Sequence, residues 1–451
     1  MPSPAPVAHH QRIDALDVLR GLAVLGILVM NITGFGLPLD AVWDPGVLGE
    51  NSWLDLGAWF LGDVGFDGKM RALFSMLFGA GVVLTTRRIE ARVGPGQAAR
   101  PHYRRMFWLL VFGLVHSRLL LWPGDILYSY AVFGLFVYPL RHASPRRLLL
   151  AGIVLLGIGS LRTISSMEGD HETWRQAAVA RAALERGEEP TEEWASALEA
   201  ERELITERRP DEEALAAKID NRRGGWAGIS ADMQEDFWTA QTSDVYGWEV
   251  FDQFAMMLVG MALLKLGVLS AARSTSFYLI LMSCGLGCGW SLAGYTAWTW
   301  MRTDFALVVP ELEVLWAAQH HTSRLLIALG YASVVMLVCR SGRLAGPRRV
   351  LACAGRLALT NYVGQTVLCT LLFHGYGLGL FGAFGRGELL GVVLAIWVVQ
   401  LVFSWLWLRS FLYGPLEWCW RALTYGRRPA MRRRANATPG INEERQPSPV
   451  P

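Results

Sequence analysis

Long apolar runs separated by arginine-rich connections are the sequence feature that most constrains the fold of this chain. A helix needs about twenty apolar residues to cross a bilayer, and fewer where neighbouring helices cover its ends. We therefore predict an all-α integral membrane protein with about ten transmembrane helices. The predicted spans are Val18–Phe35, Met70–Thr86, Arg105–Leu121, Ile126–Leu140, Leu148–Ser160, Val250–Leu269, Phe277–Trp300, Ser323–Val338, Val350–Phe373 and Leu389–Leu408. Residues 52–65 carry two aspartates and are predicted to form an interfacial or re-entrant helix.

Composition and arginine placement support this topology. The 451 residues are 52% hydrophobic and 18% charged, whereas soluble domains are roughly a quarter charged. Cytoplasmic loops collect Lys and Arg, and clusters of arginine fall in alternate connections, at residues 87–104, 141–147, 340–349 and 427–434. We therefore predict a multi-pass membrane protein with both termini in the cytoplasm.

The segment 165–246 breaks the membrane pattern, since it holds 20 Asp or Glu against 9 Lys or Arg. Turn residues divide it into helices: Gly187 closes one, Thr191 follows Pro190 to open the next, and Asp211 follows Pro210 to open a third. We predict a helical acidic insertion outside the cytoplasm, either a lid or acceptor platform or a solvated hairpin joining two spans. The predicted domains are residues 1–164 (spans 1–5), 165–246 (insertion), 247–426 (spans 6–10) and 427–451 (a basic disordered cytoplasmic tail).

The first span carries polar residues on one helical face. At 100° per residue, Asp17, Arg20 and Asn31 lie within about 60° of one another. Arg20 can simply extend to lipid headgroups beside Asp17. A buried Asn31, however, needs hydrogen-bonding partners from another helix or from a substrate.

A tight Trp-Pro-Gly turn joins the third and fourth predicted spans and brings His116 and Asp125 towards each other. A carboxylate that orients an imidazole is the usual arrangement of a general base. The alternative is that His116 bonds a neighbouring helix while Asp125 caps its own helix. We predict His116 and Asp125, with Asn31, as catalytic residues near the outer face.

Further polar groups lie in or near the spans, where ionisable side chains are costly and therefore functional candidates. With Asp17 and Arg20, the residues predicted to bind substrate or cofactor are Lys69, Arg71, Arg356, Asn361 and Gln365. An interfacial anchor is the alternative for Arg356. The run GDVGFDGKM has the wrong glycine spacing for a P-loop, and the cysteines and histidines lack metal-ligand spacing. We therefore expect no metal.

Five runs together resemble the YeiB-like family of bacterial membrane proteins (domain of unknown function 418). They are LDVLRGLAVLGILVMNI, KMRALFSMLFGAG, PGDILYSYAVFGL, GRLALTNYVGQ and GPLEWCWRALTYGRR, and they extend from residue 16 to residue 428. That family is grouped with the transmembrane acyltransferases, which include heparan-alpha-glucosaminide N-acetyltransferase. The resemblance implies transfer of an acyl group, acetyl above all, from cytoplasmic acyl-CoA (acetyl-CoA) to a sugar, lipid or metabolite outside.

The resemblance also bears on individual residues. Asn31 matches an Asn that lies near the catalytic His in the sugar N-acetyltransferases. Residues 32–45, which follow Asn31, contain no His, so His116 is our own candidate for the base. The expected partners are membrane lipids, acyl-CoA and an extracytoplasmic acceptor, with no nucleic acid, and a homodimer stays open. A transporter or flippase of a lipid or small metabolite is the alternative function, and a non-catalytic scaffold is a third.

Overall fold

A computed structural model describes residues 14–48, 52–306, 309 and 312–433. The predicted tail beyond residue 433 lies outside this range. The first helices are α1 (Asp14–Gly36), α2 (Asp40–Trp43), α3 (Trp53–Leu61), α4 (Lys69–Val93), α5 (Ala99–Arg118), α6 (Ile126–Val137) and α7 (Pro145–Glu185). The next are α8 (Glu192–Arg208), α9 (Glu212–Arg222), α10 (Trp226–Asp232), α11 (Gln234–Thr239) and α12 (Ala255–Lys265). The last are α13 (Thr275–Arg302), α14 (Leu312–Ala317), α15 (Arg324–Ser341), α16 (Ala345–Arg356), α17 (Ala358–Phe373), α18 (Arg386–Ser410) and α19 (Pro415–Tyr425).

Two further kinds of helix complete the described chain. Short 3₁₀ turns cover Pro45–Leu48 and Pro139–His142. Three π-helical segments cover Gly62–Phe66, Ala240–Phe254 and Ala318–Ser323, and they lead towards or into α4, α12 and α15.

The protein is an all-α integral membrane protein, as predicted. Seven helical stretches in the described residues are long and apolar enough to cross a membrane. They are Asp14–Gly36, Trp53–Val93, Pro145–Glu185, Gln234–Lys265, Thr275–Arg302, Val314–Ser341 and Arg386–Ser410. Two shorter apolar helices, α6 and α17, lie between them in the chain and are compatible with the predicted number of about ten.

Residues 52–65 form a short helix of their own, and its placement as an interfacial or re-entrant helix stays a prediction. The helix α3 and its π-helical continuation form the first part of the apolar stretch Trp53–Val93, with a break at Asp67 and Gly68 before α4. The two aspartates that argued against a span are both satisfied. Asp55 accepts hydrogen bonds from Ser52 and the Gly387 backbone, and Asp63 accepts from Gln319.

The helices approach closely where small residues face each other. A Cβ added to Gly79 of α4 would lie 2.1 Å from the Met257 carbonyl oxygen, and one added to Gly260 of α12 would lie 2.0 Å from the Met76 carbonyl oxygen. This reciprocal contact is the arrangement that small residues permit between membrane helices. It sets α4 parallel to α12, with Gly79 opposite Gly260.

The insertion begins inside a helix, because α7 continues for 41 residues through the predicted boundary at residue 165. Its predicted turn signals are confirmed. Gly187 has φ +80° just after α7, while the side chains of Thr191 and Asp211 cap the first turns of α8 and α9. The charged second part of α7 is still helical because backbone hydrogen bonding does not require an apolar surrounding.

The insertion helices contact the connections at one end of the bundle, here called the insertion side. The opposite end, where α1 begins and α19 lies, is called the terminal side. The contacts on the insertion side are Lys218 to Asp40 (2.8 Å), Arg209 to Asp44, Trp226 Nε1 to the Leu119 carbonyl (2.9 Å) and Arg223 Nε to the Phe381 carbonyl (2.8 Å). The insertion is therefore attached at three separate connections.

Candidate functional site

His116 and Asp125 meet, as the short turn between their helices predicts. His116 Nδ1 lies 2.7 Å from Asp125 Oδ1, and the two side chains are 1% and 2% exposed. Asp125 also caps α6, because its carboxylate accepts hydrogen bonds from the backbone N–H groups of Leu127 (3.0 Å) and Tyr128 (2.8 Å). The contact with His116 and the helix cap therefore occur in the same carboxylate, and the cap fixes the carboxylate that lies against the imidazole.

The second imidazole nitrogen of His116 has a partner on α17. Its Nε2 lies 2.8 Å from Thr366 Oγ1, and Thr366 is itself buried. Carboxylate, imidazole and hydroxyl thus form one continuous hydrogen-bonded chain. The ring of Tyr362, one helical turn earlier on α17, lies 5.0 Å from the imidazole.

A cavity of about 290 Å³ opens towards the terminal side, and we call it the arginine cavity. Its lining includes five guanidinium groups, from Arg20, Arg88, Arg105, Arg356 and Arg421. Two carboxylates also line it, and both are engaged. Asp17 pairs with Arg20 at 2.9 Å, while Glu417 accepts hydrogen bonds from Leu359 and Thr360. The cavity is therefore cationic.

The deep part of the arginine cavity is apolar and ends next to the His116 pair. Apolar lining residues include Phe74, Leu77, Phe78, Met106 and Leu109. Leu127, Tyr130 and Tyr362 also line it. Two of these residues touch the pair directly, since the Leu127 N–H donates to Asp125 and the Tyr362 ring packs near His116. One layer of side chains thus separates the cavity from the imidazole.

The residues predicted to bind substrate divide into those that line this cavity and those that do not. Asp17, Arg20 and Arg356 line it. Asn361 Nδ2 instead donates to the Ala354 carbonyl (3.1 Å) and to Ser404 Oγ (3.0 Å), which ties α17 to α18.

Gln365 has a similar packing contact. Its Nε2 donates to the Val24 carbonyl at 2.9 Å and to Gln400 Oε1 at 3.0 Å, so it joins three helices.

Asn31 is half-buried, and within the part of the chain that the structure describes its side chain has no hydrogen-bond partner. It is free to bond a ligand that approaches α1.

Lys69 and Arg71 belong to a different site, the charged cluster, which also contains Asp63, Asp67, Glu249, Asp252 and Arg324. Arg71 pairs with Asp252 at 2.8 Å and approaches Glu249 at 3.6 Å. Arg324 pairs with Asp67 at 2.7 Å and lies 3.6 Å from Asp252. Lys69 donates to the backbone carbonyl of Asp63.

The charged cluster lies near the middle of the bundle, at the level where Met70 contacts Gly26 of the 23-residue helix α1. The three π-helical segments surround this level and supply Asp63, Glu249, Asp252 and Gln319. A π-helix widens the turn and is frequent at functional sites. Charges buried at membrane depth are costly unless paired and are typical of substrate or ion pathways.

A second cavity of about 80 Å³ lies on the insertion side of the cluster, and we call it the tryptophan cavity. Its lining includes Trp59, Trp300 and Trp316, together with the carboxylates Asp63 and Asp67. Thr33 of α1 and Arg386 at the start of α18 also line it. The arginine cavity therefore lies towards the terminal side and the tryptophan cavity towards the insertion side. The charged cluster borders the tryptophan cavity.

Sequence analysis missed Asp63, Glu249, Asp252 and Gln319 as site residues. Asp252 falls inside the predicted span Val250–Leu269, where a carboxylate is a functional candidate by default. That signal could have found Asp252. Its pairing with Arg71 could not be found, because 181 positions separate them.

Comparisons with known proteins identify the family. The family model "Protein of unknown function (DUF418)" matches residues 263–427. The chain is 32% identical to the uncharacterized protein YeiB of Escherichia coli, over 92% of this chain and 96% of that protein. It is 29% identical to the uncharacterized protein YxaH of Bacillus subtilis, over 94% and 97%. No solved structure matches the chain. The chain therefore belongs to the YeiB-like (DUF418) family of membrane proteins.

Proposed function

We propose that this protein is a transmembrane acyltransferase that takes an acyl group, acetyl above all, from cytoplasmic acyl-CoA and passes it to an acceptor outside. The observation that supports this most is the arginine cavity, whose apolar end lies one side-chain layer from the His116–Asp125 pair. We place the terminal side in the cytoplasm of a bacterial inner membrane, because the arginine clusters lie on that side.

The charge and shape of the arginine cavity fit a CoA thioester. Guanidinium groups bind phosphate through charge-assisted, bidentate hydrogen bonds. CoA presents several phosphates at one end and an uncharged arm with the thioester at the other. In our proposal, Arg105 and Arg421 bind phosphates near the mouth, and the thioester extends between Tyr130 and Tyr362.

The His116 pair would supply the proton transfer. An acceptor N–H or O–H attacks the thioester carbonyl, the C–S bond breaks, and CoA leaves as a thiolate. His116 takes the acceptor proton and returns it to the thiolate, while Asp125 stabilises the charged imidazole. His116 Nε2 must first exchange its Thr366 partner for the acceptor, so a local opening of α17 precedes transfer. Asn31 would donate a hydrogen bond to the acyl carbonyl.

The resemblance to the transmembrane acyltransferases supports the same proposal. It implies donor binding on the cytoplasmic side, where the arginine cavity opens, and an acceptor on the other side. Asp17, Arg20 and Arg356 line the proposed donor path.

Binding of CoA thioesters to the purified full-length protein tests the proposal. Acetyl-CoA is expected to raise the melting temperature in a saturable manner, and Arg105→Gln is expected to weaken the effect at least tenfold. Adenosine alone should have no effect, because it lacks the phosphates. Stabilisation by adenosine equal to that by acetyl-CoA would overturn the donor assignment.

Transport of a lipid or small metabolite is the second candidate function. The observation that favours it is the interruption of three spans at one depth, since transporters often build their sites from broken helices. Uptake by protein-containing vesicles without any CoA thioester would support transport. Transfer that requires the thioester would support the enzyme.

A further inference from the structure

We infer that the tryptophan cavity binds the primary ammonium group of a small ligand with an oxygen atom close to its amino group. The inference goes beyond the proposed function. The lining of the tryptophan cavity contains neither His116 nor Thr366, so binding of the amine is separate from acyl transfer and can be measured without any acyl donor.

The aromatic walls of the cavity suit a cation. The rings of Trp300 and Trp316 meet edge to face, with centroids 5.7 Å apart and planes at 76°. Trp59 is the third tryptophan in the lining. The face of a tryptophan ring attracts a cation more strongly than any other side-chain ring. The lining carries two carboxylates, Asp63 and Asp67, against one guanidinium, that of Arg386, so it favours a cation over an anion.

Asp63 supplies a carboxylate that forms no ion pair within 4 Å among the described residues. Both of its oxygens accept from one neutral donor, Gln319 Nε2, at 3.0 and 2.8 Å. The nearby Lys69 ammonium donates to the Asp63 backbone carbonyl instead. Asp67 differs, because Arg324 pairs with it at 2.7 Å. The cluster contains four carboxylates and three cationic groups, and Asp63 is the carboxylate of the cluster that faces the tryptophan cavity without a guanidinium partner.

Two buried polar atoms beside the cavity distinguish between kinds of cation. Gln319 is 3% exposed, and its Oε1 has no donor among the described residues. A primary ammonium carries three N–H donors, whereas a quaternary ammonium carries none. Asp63 and Gln319 therefore favour a primary amine. The Trp300 Nε1–H, also without a partner there, can donate to an oxygen of the same ligand.

The size of the cavity fits this part of a ligand. One water needs about 10–15 Å³ of cavity volume, so about 80 Å³ holds several small groups. An amino group, the two carbons next to it and an oxygen fit in that space. The rest of a larger ligand would extend towards the insertion side, where α18 begins at Arg386.

Titration of the purified full-length protein with ethanolamine, without any acyl donor, tests the inference. Choline and ethylene glycol serve as matched probes, the first lacking N–H donors and the second lacking charge. We expect ethanolamine to bind at least tenfold more tightly than either. A second arm uses nanodiscs with and without phosphatidylethanolamine. If phosphatidylethanolamine competes with ethanolamine, the ligand is a lipid headgroup. If it does not compete, the ligand is a soluble amine.

Two variants and a control make the test specific. Asp63→Asn keeps the shape of the side chain and should weaken ethanolamine binding at least tenfold. Trp300→Phe removes the N–H donor while keeping an aromatic ring, and should weaken binding severalfold. Asp55→Asn changes a carboxylate of the same helix outside the cavity lining and should leave binding unchanged.

The inference is wrong if ethylene glycol binds as tightly as ethanolamine, or if Asp63→Asn binds ethanolamine as tightly as the wild-type protein. If Asp63→Asn fails to fold, unchanged ethanolamine binding by Trp300→Phe would overturn the inference instead. The proposed function fails separately. Ethanolamine binding without binding of CoA thioesters would keep the amine site and reject the acyl donor, and the reverse result would reject only the amine site.

Discussion

Arg71 and Asp252 are 181 positions apart in the chain, yet their side chains form a 2.8 Å ion pair near the middle of the bundle. Asp252 also lies 3.6 Å from Arg324, so a single carboxylate faces guanidinium groups from α4 and α15. Since Asp252 belongs to the π-helical segment before α12, the contact joins three spans.

Replacing Asp252 by Asn should destabilise the protein by about 3–5 kcal/mol, because it leaves buried guanidinium groups without their counter-charge. The double variant Arg71→Met with Asp252→Asn should be more stable than Asp252→Asn alone. Chemical unfolding in detergent measures the free energy of unfolding of the single and the double variant. If the two substitutions act additively, the ion pair does not couple these helices.

The Gly79 and Gly260 contact gives a packing prediction. Gly260→Ala should lower the free energy of unfolding by several kcal/mol, because its Cβ would lie 2.0 Å from the Met76 carbonyl and force α4 and α12 apart. Gly157→Ala on α7 is the matched control, since no atom lies within 4 Å of its Cβ. Thermal unfolding compares the two variants, and equal effects would contradict the close crossing.

The arginine cavity predicts a graded loss of donor affinity. Arg105→Gln and Arg421→Gln should each weaken acetyl-CoA binding about 10- to 100-fold, since a hydrogen bond to a charged group contributes about 1.5–3 kcal/mol. Arg146→Gln, at an exposed position outside the cavity, should leave it unchanged. Isothermal titration measures all three affinities. Equal affinities would show that acetyl-CoA binds elsewhere.

The orientation of the bundle can be checked with fusions. Alkaline phosphatase inserted after Gly187, between α7 and α8, should be active because it folds outside the cytoplasm. Insertion after Arg343, between α15 and α16, should give an inactive enzyme. The opposite activities would place the arginine clusters outside the cytoplasm.

Sequence patterns predicted the parts of this structure that local chemistry decides. Apolar runs predicted the spans, and Thr191 and Asp211 predicted the starts of α8 and α9. The contact of His116 with Asp125 was also predictable, because a tight turn of a few residues connects their helices. Asp125 could be seen as a cap for the same local reason.

The remaining features depend on contacts between distant parts of the chain. Asp63 is an unfavourable residue for a span when only its local sequence is considered. Its hydrogen-bond partner Gln319 lies 256 positions later in the chain. Asn361 and Gln365 looked like ligand-binding groups because a single sequence does not show that Ser404 and Gln400 face them. The pairing of distant helices decides which buried polar group is packing and which is free for a ligand.

Acyl transfer across a sealed membrane tests the central claim most directly. Proteoliposomes would hold acetyl-labelled acetyl-CoA on the terminal side of the protein, with a primary amine such as ethanolamine on the insertion side. We predict labelled N-acetyl product on the insertion side. His116→Gln should lower the rate of product formation by a factor of about 10² to 10⁴, and His142→Gln, at an exposed position, should leave that rate unchanged. No labelled product with the wild-type protein, or an unchanged rate for His116→Gln, would contradict the account.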